Sequence, residues 1–351
     1  MKVVMDEKIP YLRDALSAIG CEVVCLPGAC ISCSDVVDAD ALFVRTRTRC
    51  DARLLDGARV RFIGTATIGY DHIDAEYCHS RGIEWVNAAG CNAGAVLQYV
   101  QSVLYSWSLD KGVRLQGLSL GVVGVGEIGS RVAAWARSIG MTVLLNDPPR
   151  EHAGEPGFVS LSEIASSCDV ITFHPSLGVG GRFPSFHLAD EAFFASLGRC
   201  RLLVNASRGP VVDNAALSRA LDKGLLGDAV LDVWENEPDI DLDLLKKAYL
   251  ATPHIAGYSA EGKMNASRMV LDAFVRFIGY EGAVPDLSLP APANAVVEAC
   301  DERECLLGIY SPNADSLALK ENPGCFEKLR NEYHLRREPS SYRLKLREND
   351  V

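Results

Sequence analysis

The sequence predicts an α/β protein of two doubly wound parallel-sheet domains followed by a small α+β tail. Three observations carry this expectation. Short β-type apolar runs alternate with helix-like stretches from the N-terminus to Ile278, a pattern that requires crossover connections and therefore parallel sheets. One of those runs leads directly into a glycine-rich turn, Gly124-Val-Gly126-Glu-Ile-Gly129, that opens a helix. Beyond Gly282 the composition changes, with Pro285, Pro290 and Pro292 marking a linker into a tail rich in charge.

The elements follow in order. Lys2 to Met5 is a β-type run, and Tyr11 to Ile19 is helix-like and stopped by Gly20. Further strands are expected at Glu22–Leu26, Ala41–Val44, Phe62–Thr65 and Glu84–Val86. An apolar helix from Ala93 to Leu109 links this domain to the next. The second domain alternates a strand from Leu118, a helix ending at Ser138, strand Thr142–Leu145, a helix over 161–167, and strands Val170–Phe173 and Leu202–Asn205. A helix over Ala215–Lys223 is capped by Asp213 or Asn214 and stopped by Gly224, ahead of strand Ala229–Val233. A long helix from about Ala260 to Ile278 returns the chain to the first domain.

Composition narrows the function. The chain has 351 residues, 48% of them hydrophobic, and its 35 basic and 46 acidic side chains leave a formal charge of −11. Such a surface disfavours nucleic acid and anionic lipid as partners. Asp6 and Glu7 interrupt the N-terminus, no signal-peptide apolar run is present, and no stretch of about 18 uncharged apolar residues offers a membrane span. A cytoplasmic protein with reduced thiols is therefore expected from its twelve cysteines. Cys21, Cys25, Cys30 and Cys33 end in a C-x2-C pair that could ligate a metal, but one such pair in a strand-and-loop region is weak, and no metal site is assigned.

In Gly124-Val-Gly126-Glu-Ile-Gly129 the three glycines serve a tight turn, the close approach of backbone to a pyrophosphate, and close helix–strand packing. The helix N-terminus at Glu127 and Ile128 offers unpaired N–H groups to phosphates. Asp147 follows the next strand, where a carboxylate accepts ribose hydroxyls and repels a 2′-phosphate, so NAD is expected over NADP. Arg150 lies close enough to weaken that preference. Asp232, Ala206 and Ser207 sit at strand ends lining the same crevice, and His174-Pro175-Ser176 ends another strand there.

Three strand-end segments bring catalytic types: Arg208 in Asn-Ala-Ser-Arg-Gly-Pro, Glu237 in Asp-Val-Trp-Glu-Asn-Glu-Pro, and His254 in Thr-Pro-His-Ile-Ala-Gly. Oxidising a secondary alcohol needs a base of near-neutral pKa for the hydroxyl proton, which suits His254. Glu237 would fix the imidazole tautomer and favour its protonated form, and the guanidinium fork of Arg208 would pair with a carboxylate and polarise the incipient carbonyl. Taken singly, each has an ordinary reading as surface histidine, phosphate-binding arginine or turn glutamate; together they point to hydride-transfer chemistry on a hydroxy acid.

At these residues the chain resembles the D-isomer-specific 2-hydroxyacid dehydrogenases, and within them the 4-phosphoerythronate dehydrogenase family. The broad likeness rests on Asn205–Asp213, Asp232–Pro238 and Thr252–Gly257, and the narrower one on Met5–Tyr11, Gly64–His72, Ala89–Ala93, Asn146–Arg150, Phe186–Asp190, His254–Lys263 and the tail run Phe326-Glu-Lys-Leu-Arg-Asn-Glu-Tyr-His-Leu-Arg-Arg-Glu. The resemblance implies two Rossmann-like or flavodoxin-like domains: a substrate domain at 1–92 and 255–284, an NAD-binding domain at 93–254, and a shortened C-terminal dimerisation domain at 285–351. It further implies Arg208, Glu237 and His254 as catalytic, with Thr46, Thr67, Tyr258 and Arg45 on the substrate and Arg47 and Arg49 beside them. Gly124, Gly126, Glu127, Ile128, Gly129, Asp147, Pro175, Ala206, Ser207, Asp232 and Gly257 fall to the cofactor, NAD.

The implied reaction is oxidation of a phosphorylated hydroxy acid, 4-phospho-D-erythronate, to its 2-oxo acid by a homodimer in pyridoxal 5′-phosphate biosynthesis. Alternatives are a relative acting on 3-phosphoglycerate or an unphosphorylated hydroxy acid, and a dinucleotide sensor without turnover. His174-Pro-Ser in place of the family's usual His-Thr-Pro, Thr46 in place of Ser, and a poorly matching stretch from Pro292 to Phe326 depart from the family pattern.

Overall fold

The computed structural model describes residues 1–346; the last five residues of the expected C-terminal domain, 347–351, lie outside them. The chain divides into two units, Met1–Asn92 with Ser259–Ala291, and Ala93–Tyr258 with Pro292 onward.

The first unit carries strands β1 (Lys2–Asp6), β2 (Glu22–Leu26), β3 (Ala41–Val44), β4 (Phe62–Thr65) and β5 (Glu84–Asn87), all parallel in the order β2-β1-β3-β4-β5. β3 and β4 are buried along their whole length, which is why they read as continuous apolar runs. The return helix Ala260–Phe277 lays Ala266, Val270 and Phe274 against Phe43 and Phe62, and Gly64 on β4 keeps this contact close, since an added Cβ would meet the Phe43 ring at 2.8 Å.

The second unit repeats the plan with strands β6 (Ser119–Val123), β7 (Thr142–Asn146), β8 (Val170–Phe173), β9 (Leu202–Asn205), β10 (Asp228–Leu231) and β11 (Leu250–Ala251), parallel in the order β11-β10-β9-β8-β6-β7. In both sheets the first strand lies between the second and third. The winding direction reverses there, between β1 and β3 and between β6 and β8, opening a crevice at the strands' carboxyl ends. The helices start where their caps dictate. Asp213 accepts from Ala216 N–H ahead of helix Asn214–Asp222, and Ser160 accepts from Glu163 N–H ahead of Leu161–Ser167.

The domain boundaries differ from those expected. The switch into the return helix falls at Ser259, so Tyr258 belongs to the second unit. The segment expected as a separate C-terminal domain groups with the second unit from Pro292, and its first stretch, to Ala291, with the first unit. Its short helices explain this, because Leu306 and Tyr310 join one core of the second unit and Leu319 and Phe326 the other. Its own sheet is a two-strand pair, β12 (Val296–Ala299) with β13 (Arg343–Leu346), too small to hold a core of its own. Among the described residues, no helix is long and apolar enough to cross a membrane, and no group of three or more His, Cys, Asp or Glu could hold a metal ion.

Candidate active site

The glycine turn follows β6, where Gly124 takes φ +83 and helix Glu127–Ser138 begins after Gly126. A Cβ on Gly124 would meet Pro175 N at 2.5 Å, so the chain leaving β8 lies directly over the turn. A Cβ on Gly129 would run into Gly124 O. At Gly126 a Cβ would meet nothing within 4 Å, and its φ of −78 imposes no strain. Of the three glycines, two are required by the protein's own packing and one faces open space. That is the pattern of a cradle for an outside group. Glu127 is exposed at the helix start, whereas the Ile128 side chain packs into the core, leaving only its backbone to the turn.

Asp147 follows β7 and accepts hydrogen bonds from Val125 N–H at 2.7 Å and Arg150 N–H at 3.2 Å, tying the glycine turn to the next strand. Arg150 is turned to Glu155 and to Val125 O, and the Glu155 carboxylate offsets its charge. A cavity of about 580 Å3 opens here, walled by Gly124, Gly126, Asp147, His174, Pro175 and Phe183 among others. His174 reaches Thr172 Oγ1 through Nε2 at 3.0 Å, while its buried Nδ1 has no partner among the described residues. Burial pushes this imidazole down to about 3, so it is neutral. The cradle, the carboxylate and the unpartnered nitrogen of a histidine that lines the cavity fit a dinucleotide.

On β9 and β10 the strand ends carry the reactive types. Ser207 and Arg208 follow β9: Ser207 bonds Asn205 Oδ1 through N and Oγ, and Ala206 is buried. Arg208 donates from Nη1 to Ser207 O at 2.8 Å and makes no ion pair among the described residues. Asp232, after β10, is buried and anchors the histidine loop. Its Oδ1 accepts from Thr252 Oγ1 at 2.7 Å and Ile255 N–H at 2.8 Å, and its Oδ2 from Ala256 N–H at 2.9 Å. Tyr99 bonds Thr252 Oγ1 from below at 2.8 Å. His254 takes φ +58 and donates its N–H to Asp232 O at 2.7 Å, a conformation unfavourable for a side-chain residue and held by the strand ends on both sides.

This loop brings His254 Nδ1 to 2.8 Å from Glu237 Oε2, the other carboxylate oxygen accepting Trp234 N–H at 2.9 Å. Burial opposes the charge on Glu237, but its bonds to His254 and Trp234 N–H and the nearby Arg330 outweigh that, and its carboxyl titrates below its ordinary value. Of the two glutamates in Trp-Glu-Asn-Glu, Glu235 turns away to His187 Nε2 at 2.7 Å and Asn214 N–H at 2.9 Å. Tyr258, beyond Gly257, bonds Arg330 Nε at 3.3 Å through its hydroxyl.

The remaining expected substrate residues lie in the first unit. Thr46 is exposed in the loop after β3. Arg45 is tied by Nε to buried Asp6 at 3.0 Å, and Arg49 pairs with Asp51 at 3.0 Å, so part of the basic cluster is already neutralised. Thr67 bonds Thr65 Oγ1 at 2.7 Å, and Thr65 is held in turn by buried His72 Nε2 at 2.9 Å. Sequence reasoning missed His72 as the support behind Thr67, and missed Arg330 and Arg336 in the tail. Nothing in the local sequence marks them apart from other charged or polar residues.

The family model described as D-isomer specific 2-hydroxyacid dehydrogenase, NAD binding domain, matches residues 94–256. Erythronate-4-phosphate dehydrogenase of Bacteroides fragilis is 51% identical over 345 residues, 98% of this chain and 99% of that one. The Escherichia coli O81 protein of the same name is 42% identical over 352 residues, covering 97% of this chain and 93% of its own. Among solved structures, a protein from Thermus thermophilus superposes with a TM-score of 0.63 at 28% identity, over 78% of this chain and 94% of that one. The NAD+-bound 3-phosphoglycerate dehydrogenase of Entamoeba histolytica shares the fold, with a TM-score of 0.65 at 24% identity over 80% of this chain and 96% of its own.

Proposed function

The chain belongs to the erythronate-4-phosphate dehydrogenase family of D-isomer specific 2-hydroxyacid dehydrogenases, and from that premise we propose that it oxidises 4-phospho-D-erythronate to (R)-3-hydroxy-2-oxo-4-phosphooxybutanoate on the route to pyridoxal 5′-phosphate. The single observation that carries the chemistry is the His254–Glu237 pair at 2.8 Å. With the Nδ1 proton committed to Glu237, the imidazole lone pair is left on Nε2, where it can take the substrate hydroxyl proton. Bound NAD supplies the acceptor for the hydride leaving the same carbon. The alcohol thus loses one proton to His254 and one hydride to the cofactor, leaving a carbonyl; the imidazolium, stabilised by Glu237, then returns its proton to solvent. Arg208, without a carboxylate partner among the described residues, pairs with the substrate carboxylate and polarises the forming carbonyl.

In this reading Thr46, Thr67 and Tyr258 hold the substrate, and Arg45 turns to its phosphate the Nη nitrogens that Asp6 does not use. The cofactor side comprises Gly124, Gly126, Glu127, Ile128, Gly129, Asp147, Pro175, Ala206, Ser207, Asp232 and Gly257. Asp232 acts by holding the loop, and Ile128 through its backbone. A homodimer in the cytoplasm completes the proposal, tested by light scattering and cell fractionation. The reaction itself is tested by following NADH formation on a panel of 4-phospho-D-erythronate, 3-phosphoglycerate, glycerate and lactate. The first should have the highest kcat/KM by at least tenfold; a higher value for any other overturns the substrate assignment.

A further inference from the structure

The segment from Pro292 onward reaches the reactive pair. Helix Phe326–Asn331 carries Arg330, whose Nη1 lies 3.5 Å from Glu237 Oε2 and whose Nε lies 3.3 Å from the Tyr258 hydroxyl. One guanidinium thus spans the carboxylate that holds the general base and the phenol expected to face substrate. Tyr333, on the same segment, stacks edge-on against the Tyr258 ring with centroids 6.1 Å apart.

The segment is pinned where this contact needs it. Arg336 is buried, with its guanidinium 4.3 Å from the Tyr310 ring centroid. It donates from Nη1 to Ile255 O at 2.9 Å, from Nε to Gln98 Oε1 at 3.0 Å, and from Nη2 to Ala95 O and Ala256 O. Ile255 and Ala256 are the two residues after His254, so the tail grips the histidine loop from one side while Asp232 grips it from the other. Ser316 Oγ accepts Ala251 N–H at 3.0 Å at the loop's entry. A cation delivered to a dyad carboxylate by a segment fastened to the dyad's own loop is not an incidental surface pair.

We infer that Arg330 is a positioning residue of the active site: it fixes the Glu237 carboxylate and the Tyr258 hydroxyl in register beside His254. The inference rests on the proposed role of the His254–Glu237 pair. Among the described residues, Asp232 after β10 acts on His254 and Arg330 from the tail helix on Glu237, while Tyr258 and Glu327 act on Arg330. Arg336, Asp315 and Tyr333 stand behind them and are hydrogen-bonded among themselves or to the loop. Removing the Arg330 charge lets the Glu237 carboxylate hold a proton more tightly, so the acid limb of activity moves to higher pH.

The experiment is the kcat/KM profile against pH for the full chain with 4-phospho-D-erythronate and NAD, comparing wild type with Arg330→Gln, Arg330→Met and Arg330→Lys. The two neutral variants should move the acid limb up by about one unit and lower kcat/KM by tenfold or more below it. Affinity for NAD should not change, and Arg330→Lys should restore the limb. The methionine variant keeps the buried stem if glutamine fails to fold. In an E237Q background the same substitutions should shift nothing further. Neutral variants whose profiles superimpose on wild type overturn the inference. A wild-type profile with no acid limb, or a His254→Ala variant of full activity, instead overturns the underlying base assignment.

Discussion

Replacing Glu237 by Gln keeps the side chain's shape and removes one charge, and the structure dictates how the amide must sit. One oxygen of Glu237 accepts the Trp234 N–H and the other faces His254 Nδ1. If the Gln oxygen stays on Trp234 N–H, its NH2 points at Nδ1, which must then become the acceptor. The imidazole proton moves to Nε2, and the base loses its lone pair. The flipped amide preserves the base but sets NH2 against a part-buried backbone N–H, an unsatisfied donor costing about 1–3 kcal/mol. Arg330, 3.5 Å from the second oxygen, favours the flip, but an ion–dipole contact at that distance is worth under about 1 kcal/mol. The competent orientation is therefore the minor one, by roughly 5- to 100-fold. Loss of the carboxylate that stabilises the imidazolium removes a further ten- to hundredfold or so. The product centres near a 10³-fold fall in kcat, or about 4 kcal/mol of barrier, with KM and the Kd for NAD within about threefold of wild type. Steady-state NADH formation and a fluorescence titration of NAD measure both. A loss below tenfold would refute the tautomer argument.

Three other outcomes follow from the same geometry. Gly126→Ala should leave the melting temperature unchanged, because its Cβ enters open space, yet weaken NAD binding tenfold or more; Gly129→Ala, whose Cβ meets Gly124 O, should instead destabilise the fold by about 2 kcal/mol. Calorimetry with and without NAD separates the two, and equal behaviour of the variants would contradict the cradle. Arg336→Met strips the donors from Ile255 O, Ala256 O and Ala95 O and should cost about 3 kcal/mol in urea unfolding, with activity falling alongside; a wild-type unfolding curve would show that the tail does not hold the loop. Because the Glu237 carboxyl titrates below its ordinary value in the fold, its charge stabilises the protein above that value of 4.5, and the contribution fades as pH falls through the lowered one. Wild type should thus lose more stability than Glu237→Gln between about pH 5 and pH 3, and parallel losses would argue against the pairing.

Legibility in the sequence tracked how local each cause is. Ala41–Val44, Phe62–Thr65, Val170–Phe173 and Leu202–Asn205 were readable to the residue, because strands buried on both faces must be continuous apolar runs and end where polar residues begin. The cap of the helix after β9 was readable to within two residues, Asp213 or Asn214, because a cap bond is local; the structure gives it to Asp213, whose bond to Ala216 N–H spans three residues. Glu235 and Glu237 are two residues apart with the same chemistry, and only the fold sends one to His187 and the other to His254. The tail was the least legible part. Its apolar residues are spaced for short helices that have no core of their own, and Arg336 reads as one more surface charge until the fold surrounds it with carbonyls.

The tail's place in the fold changes what its sequence means. An appendage that served only association could vary wherever its outer face allowed. A segment that holds Ile255 and Ala256 through Arg336 and faces Glu237 through Arg330 is constrained at those arginines by the chemistry of a loop some eighty residues earlier. The two arginines sit on opposite sides of the same requirement. His254 keeps a backbone conformation its side chain disfavours, so the loop must be held from outside, and it must keep its carboxylate partner charged inside a half-buried pocket. Neither need can be met by the glycine turn or the sheet, whose strand ends already commit their carbonyl and carboxylate groups to the loop's inner face. The outer face is left to whatever packs there, and here that is the C-terminal segment. It follows that truncation before Phe326 should abolish turnover even in a chain that still melts cooperatively and still binds NAD, because the cradle at Gly124 to Gly129 makes no use of the tail. A truncated protein that turned over at the wild-type rate would remove the tail from the active site altogether.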